Sequence, residues 1–160
     1  KIYLSGLESI MEIVKVLLED INLQDSFFNS LRNDYPGFNN WFLRRVSYRD
    51  YAYVSYDDNK HLTSFFLWKV ETKDDYLSLG LDNPHTNKIL KISSFKVIST
   101  GKGIGSWYLE LAKNIAILNK VDFIYITVYP KYQEFISFLE YHNFKEVGVK
   151  GKELVLKKSV

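Results

Sequence analysis

The spacing of apolar positions changes along this chain of 160 residues, and each change of period marks a new element. Ile2–Leu4 reads as a short edge strand. Leu7, Ile10, Met11, Val14, Leu17, Leu18 and Ile21 then recur at steps of three and four. With Ser5 and Glu8 set as a capping box, the pattern predicts an amphipathic helix over residues 6–20. A second helix is predicted from Gln24 to Asn33, with Phe27, Phe28 and Leu31 inward and Pro36 as its stop. Phe38, Trp41, Phe42 and Val46 mark a third, short helical piece. The aromatic stretch Asp34–Phe42 reads as a core plug after a helix break, or else as a loop walling a substrate cleft with Tyr35 or Trp41.

Period two takes over at Tyr51. Tyr51–Tyr56 and His61–Glu71 alternate around the turn Asp57-Asp-Asn-Lys60 and predict an antiparallel hairpin. Lys73–Asn87 is a polar excursion with a short strand expected at Tyr76–Leu79. A further strand runs from Lys88 to Ile98. Ile104, Trp107, Tyr108, Leu111, Ala112 and Ile115 then restore helical spacing. Val121–Val128 is apolar on both faces and reads as a buried central strand. Tyr132, Phe135, Ile136 and Leu139 form a last helical stripe, which Asn143 is placed to end in a left-handed conformation. Phe144–Lys150 and Glu153–Lys157 form a closing hairpin around Gly151. The predicted order is β-α-α-β-β-β-α-β-α-β-β in one domain, 1–160, of the α+β class.

The chemistry concentrates where strand passes to helix, at Ser99-Thr-Gly-Lys-Gly-Ile-Gly-Ser106. A turn that merely joined the two would need one glycine. Three at alternate positions, Gly101, Gly103 and Gly105, let the backbone take positive φ and approach a bulky partner. The amides that open the helix lack intrahelical acceptors, and the helix dipole adds partial positive charge there. Such a place suits an anion, most naturally a phosphate. The spacing is not that of a nucleotide-binding P-loop, because Lys102 is followed by Gly103 rather than Ser or Thr. Nor is it the dinucleotide fingerprint, whose third glycine position holds Ser106.

Composition narrows the setting. No apolar run approaches the length of a membrane span and no signal peptide is read at the start, so a cytoplasmic protein is expected. There is no cysteine, which excludes disulfides and thiolate metal sites. His61, His85 and His142 lie far apart, and no metal is expected. Net charge is +2, but residues 1–86 carry nine basic against thirteen acidic side chains, and residues 87–160 twelve against six. The basic half holds the glycine turn, as a polyphosphorylated ligand would require, although a solvated lysine-rich face has the same composition. The basic half and the tyrosines form no nucleic-acid motif.

The element order, Phe95-Lys-Val-Ile-Ser-Thr-Gly-Lys-Gly-Ile-Gly-Ser-Trp-Tyr-Leu-Glu-Leu-Ala112, and Phe138-Leu-Glu-Tyr-His-Asn-Phe144 together resemble the GNAT superfamily of acyl-CoA-dependent N-acetyltransferases. The resemblance spans essentially the whole chain and implies a three-layer α/β arrangement, a mixed, mostly antiparallel central sheet flanked by helices. It implies acetyl transfer from acetyl-CoA, as co-substrate, to an amine of an undetermined acceptor by direct attack. It places the CoA pyrophosphate on the amides of Lys102, Gly103, Ile104, Gly105 and Ser106, beside Thr100 and Gly101. It sets the pantetheine arm along the backbone of Phe95, Lys96 and Val97, where the N–H of Phe95 or Val97 would face the oxyanion. Two departures stand out. Thr100 occupies a position where the family usually has Arg or Gln. Leu139 stands where it often has the Tyr that protonates the CoA sulfur, and Tyr132, two turns earlier, is the candidate substitute. Glu71 is a candidate base, since no carboxylate lies in Lys88–Ile98. The alternative is a GNAT-fold module that binds CoA or a protein partner without transfer. A homodimer is a further open expectation.

Overall fold

In the computed structural model the described residues are 2–5, 10–72, 88–98 and 101–160. Among them, eight strands follow the hydrogen-bonded order β1-β2-β3-β4-β5-β6-β8-β7. These are β1 (Ile2–Ser5), β2 (Ile10–Leu17), β3 (Tyr51–Tyr56), β4 (Leu62–Thr72), β5 (Lys88–Val97), β6 (Phe123–Val128), β7 (Lys145–Lys150) and β8 (Glu153–Ser159). Four α-helices accompany them: α1 (Asn29–Asp34), α2 (Phe38–Ser47), α3 (Ile104–Leu118) and α4 (Gln133–Tyr141). β1–β2, β2–β3, β3–β4, β6–β8 and β7–β8 pair antiparallel, and β5–β6 pair parallel. The class is therefore the one expected, a mixed and mostly antiparallel sheet with helices. The chain divides into two compact units, Lys1–Leu67 with Ser94–Gly105, and Trp68–Ser93 with Ser106–Val160, so β4 and β5 each run through both.

One element differs from its sequence pattern. Residues 6–20 were expected to be helical, yet Ile10–Leu17 is strand β2 between β1 and β3. Ser5 is the last residue of β1 rather than a helix cap, and residues 6–9 lie outside the described residues. Four of the eight β2 residues, Ile10, Ile13, Val14 and Val16, are β-branched, which suits a pleated strand better than a helix. The strand also gains apolar partners across the ladder, Val14↔Val54 and Val16↔Ala52. The observed order is thus β-β-α-α-β-β-β-α-β-α-β-β. The strand expected at Tyr76–Leu79 lies outside the described residues.

The first unit is organised around Phe28. Its ring lies 5.3 Å from those of Phe27 and Phe65, 5.6 Å from Phe38 and 5.7 Å from Phe42. Phe38 and Phe42 are buried, and Tyr35 and Trp41 pack against the same cluster. The stretch Asp34–Phe42 is therefore the core plug of its two readings. Asp25 fixes the entry: its carboxylate accepts the N–H of Phe27 at 2.9 Å and of Leu62 at 3.1 Å. In the second unit Ile89, Phe123, Tyr125 and Val155 form a buried cluster. Asn143 takes φ 72° after α4 and Gly151 φ 59° between β7 and β8, as their positions predict.

Candidate active site

β5 carries most of the expected residues, and its surroundings can be read from both ends. Its ladder to β6 comprises Leu90↔Ile124 and Lys91↔Tyr125, and β5 then continues six residues to Val97. Along that extension the hydroxyls of Ser93 and Ser94 are buried, with no hydrogen-bond partner among the described residues. A buried polar group left unpaired is costly, and native structures keep few of them. Phe95 sets its ring edge-on to Phe66 at 5.5 Å. The Ile98 N–H donates to Thr63 O at 2.9 Å.

Lys96 turns its side chain towards the α1 side of its unit. Its ammonium donates to Phe27 O and, at 2.7 Å, to Ser30 Oγ, and sits 4.5 Å from the Phe27 ring centroid. Burial holds its pKa below the usual lysine value, against the upward pull of Asp34 and Asp25. What β5 offers a ligand at this position is therefore its backbone.

Thr100 lies outside the described residues. Gly101 and Gly103 take φ 76° and 73°, and a Cβ built on either would meet no atom within 4 Å. The turn is thus open at the two places where glycine is conformationally required. Lys102 between them is exposed, Ile104 is buried as the first residue of α3, and Gly105 lies in the first helical turn. In the second unit Ser106 Oγ lies 3.1 Å from His142 Nε2, which joins the start of α3 to the end of α4.

Tyr132 precedes α4 as its N-cap and is 38% exposed, so it belongs to no buried stripe. The Lys131 ammonium lies 5.2 Å from its ring centroid. Leu139, by contrast, is wholly buried. Glu71 is also buried, and both of its oxygens are engaged: Tyr125 Oη donates to Oε1, and Lys69 Nζ lies 3.0 Å from Oε2. Sequence reasoning named Glu71 but missed Tyr125, whose signal was a phenol inside an otherwise apolar strand: a buried phenol needs a partner. It also passed over Lys91, the one charge flanked by Leu90 and Ile92. No group of residues suited to a metal ion occurs among the described residues.

This sheet, with its glycine turn opening a helix, is the fold of the GNAT-family acetyltransferases. A GNAT-family acetyltransferase of Listeria monocytogenes superposes with a TM-score of 0.62 at 12% identity, over 99% of each chain. Arabidopsis thaliana NAA60, solved with a bisubstrate analogue, gives 0.65 at 15% identity, over 92% of this chain and 98% of its own. The PaiA N-acetyltransferase of Thermoplasma acidophilum, solved with coenzyme A, gives 0.61 at 17%, over 94% and 99%. No family model and no curated protein sequence matches the chain. No helix among the described residues is long and apolar enough to cross a membrane.

Proposed function

We propose that this chain is an N-acetyltransferase that moves an acetyl group from acetyl-CoA to the amine of an acceptor by direct attack. The observation that carries the reading is the open turn at Gly101 and Gly103, followed at once by α3. Amides from Lys102 to Ser106 hold the diphosphate, with charge from Lys102 and a hydroxyl from Thr100. The backbone from Val97 back to Ile92 pairs with the pantetheine arm as an added strand. Five steps at about 3.3 Å each make roughly 17 Å, about the reach of that arm extended. With the thioester at the Ile92 end of that run, the oxyanion falls to a backbone N–H there rather than to Phe95 or Val97, which the resemblance suggested and which lie roughly 10 Å or more back along the strand. Tyr132, exposed where Leu139 is not, is the candidate donor of a proton to the leaving sulfur. The fold neighbours that hold CoA or a bisubstrate analogue support this reading.

Leu139 also favours a second reading, a GNAT-fold module that binds CoA or a protein without transfer. One pair of variants tests both. Gly103→Asp places a carboxylate in the turn, whereas Gly103→Ala imposes the same backbone strain without charge. Calorimetry is expected to show acetyl-CoA binding weakened at least tenfold more by Asp than by Ala. Equal affinities would move the diphosphate elsewhere. A release assay for free thiol with an amine panel then separates enzyme from binder.

A further inference from the structure

One group of titratable side chains in the second unit has no role in the scheme above. Glu71 and Lys69 come from β4, Lys91 from β5, Tyr125 from β6, and Lys150 and Glu153 from the β7–β8 hairpin. Glu71 is held at both oxygens, by Tyr125 and by Lys69, and is buried. Lys91 stands directly across the ladder from Tyr125, at the last β5–β6 pair. It is half-buried, and among the described residues its ammonium makes no hydrogen bond or ion pair.

Burial pushes the Lys91 pKa below the usual 10.5. Glu71 pulls it back up and Glu153 does so more weakly, while Lys150 and Lys69 press it further down. A lysine in this state gives up its proton more readily than its exposed counterparts do, and can take one back beside a fixed carboxylate.

We propose that Lys91 is the base of the transfer, taking the proton released by the attacking amine, with Glu71 as its counter-charge and Tyr125 and Lys69 as the positioning residues that hold Glu71. This rests on the acetyltransferase reading, in which the arm running along β5 ends where the ladder to β6 closes. The acceptor nitrogen bonds to the thioester carbon and the carbon–sulfur bond breaks. One N–H proton passes to the neutral Nζ of Lys91, and the ammonium so formed is favoured by the charge of Glu71 and later returns its proton to water. The sulfur leaves as thiolate and gains its proton from Tyr132, which is reprotonated by water. The products are an amide and free thiol, with Lys91 neutral again.

The test uses the full chain, acetyl-CoA and ethylamine as the probe acceptor. Lys91→Met is expected to lower kcat/KM for ethylamine by about a hundredfold, with acetyl-CoA affinity by calorimetry within about twofold of wild type. Lys91→Arg keeps the charge but cannot give up its proton, and is expected to be equally slow. Glu71→Gln keeps an acceptor for Tyr125 but removes the charge that raises Lys91. It is expected to shift the acidic limb of the pH–rate profile to lower pH. NMR of 13Cε-labelled lysine should show Lys91 titrating below the exposed lysines. A normal rate in Lys91→Arg, an unmoved limb in Glu71→Gln, or Lys91 titrating with the exposed lysines would each overturn the proposal. So would a wild type that binds acetyl-CoA and leaves ethylamine unmodified at every pH. Absence of acetyl-CoA binding by the wild type would instead remove the reading beneath it, which calorimetry registers separately from the titration.

Discussion

Single residues in this chain are tuned mainly by what burial does to charge. Lys96 illustrates it apart from any ligand. Its ammonium is committed to Phe27 O and Ser30 Oγ, and the same packing disfavours the charged form. The folded chain therefore releases this proton at a lower pH than the unfolded chain, whose lysine keeps the usual 10.5. Below the folded pKa the cost of burying the charge is fully present. Between the folded pKa and 10.5 the unfolded state binds more protons, so stability rises with pH across that window. Tyr53 and Tyr56, whose pKa values burial raises, act in the opposite sense above pH 10. Comparison with Lys96→Met cancels their effect. Urea unfolding at stepped pH should show wild type gaining on the variant as pH climbs towards 10.5. A gap that stays constant would show that the proton is not linked to folding. None of this is visible in the sequence, where Lys96 is a polar position in an alternating strand. Its partner Phe27 is 69 residues away.

At the level of elements, local pattern sufficed wherever one conformation satisfied both periodicity and turn chemistry. The β3–β4 hairpin was legible because Asp57 ends one run and its carboxylate accepts the N–H of Asn59 and His61. The end of α4 was legible because Asn143 tolerates positive φ. The glycine turn was legible because glycine is required at Gly101 and Gly103. β2 was not, because Leu7–Ile21 fits a helical stripe while its β-branched residues also fit a strand. Pairing with β3, some forty residues away in sequence, decided between them. Val14→Ala separates the two environments. Alanine favours a helix, so a helical Val14 would tolerate or welcome the change. In the strand the variant loses its pair with Val54 and is expected to cost about 1 kcal/mol. Chemical denaturation reads the difference, and a gain in stability would contradict the strand.

For the molecule as a whole, the decisive feature is that neither compact unit is continuous in sequence. Unit one takes Leu62–Leu67 of β4 and Ser94–Val97 of β5, and unit two takes the remainder of both strands. The sequence announced the two strands but not this division, because no Pro/Gly-rich linker or shift of composition marks Leu67 or Ser93. The boundary falls inside β4 and inside β5. This bears on cooperativity. For one unit to open alone, β4 and β5 would each have to leave the strand conformation over about half their length while keeping it in the other half. That exposes backbone groups in mid-strand for little entropic gain. Opening of either unit is therefore expected to require opening of both. Native-state hydrogen exchange measures this residue by residue. Amides of Phe65–Leu67 and of Trp68–Val70 should exchange with protection free energies within about 1 kcal/mol of each other, close to the global value for the domain. A step in protection at Leu67, with one half of β4 exchanging through a much cheaper opening, would show instead that the units unfold independently.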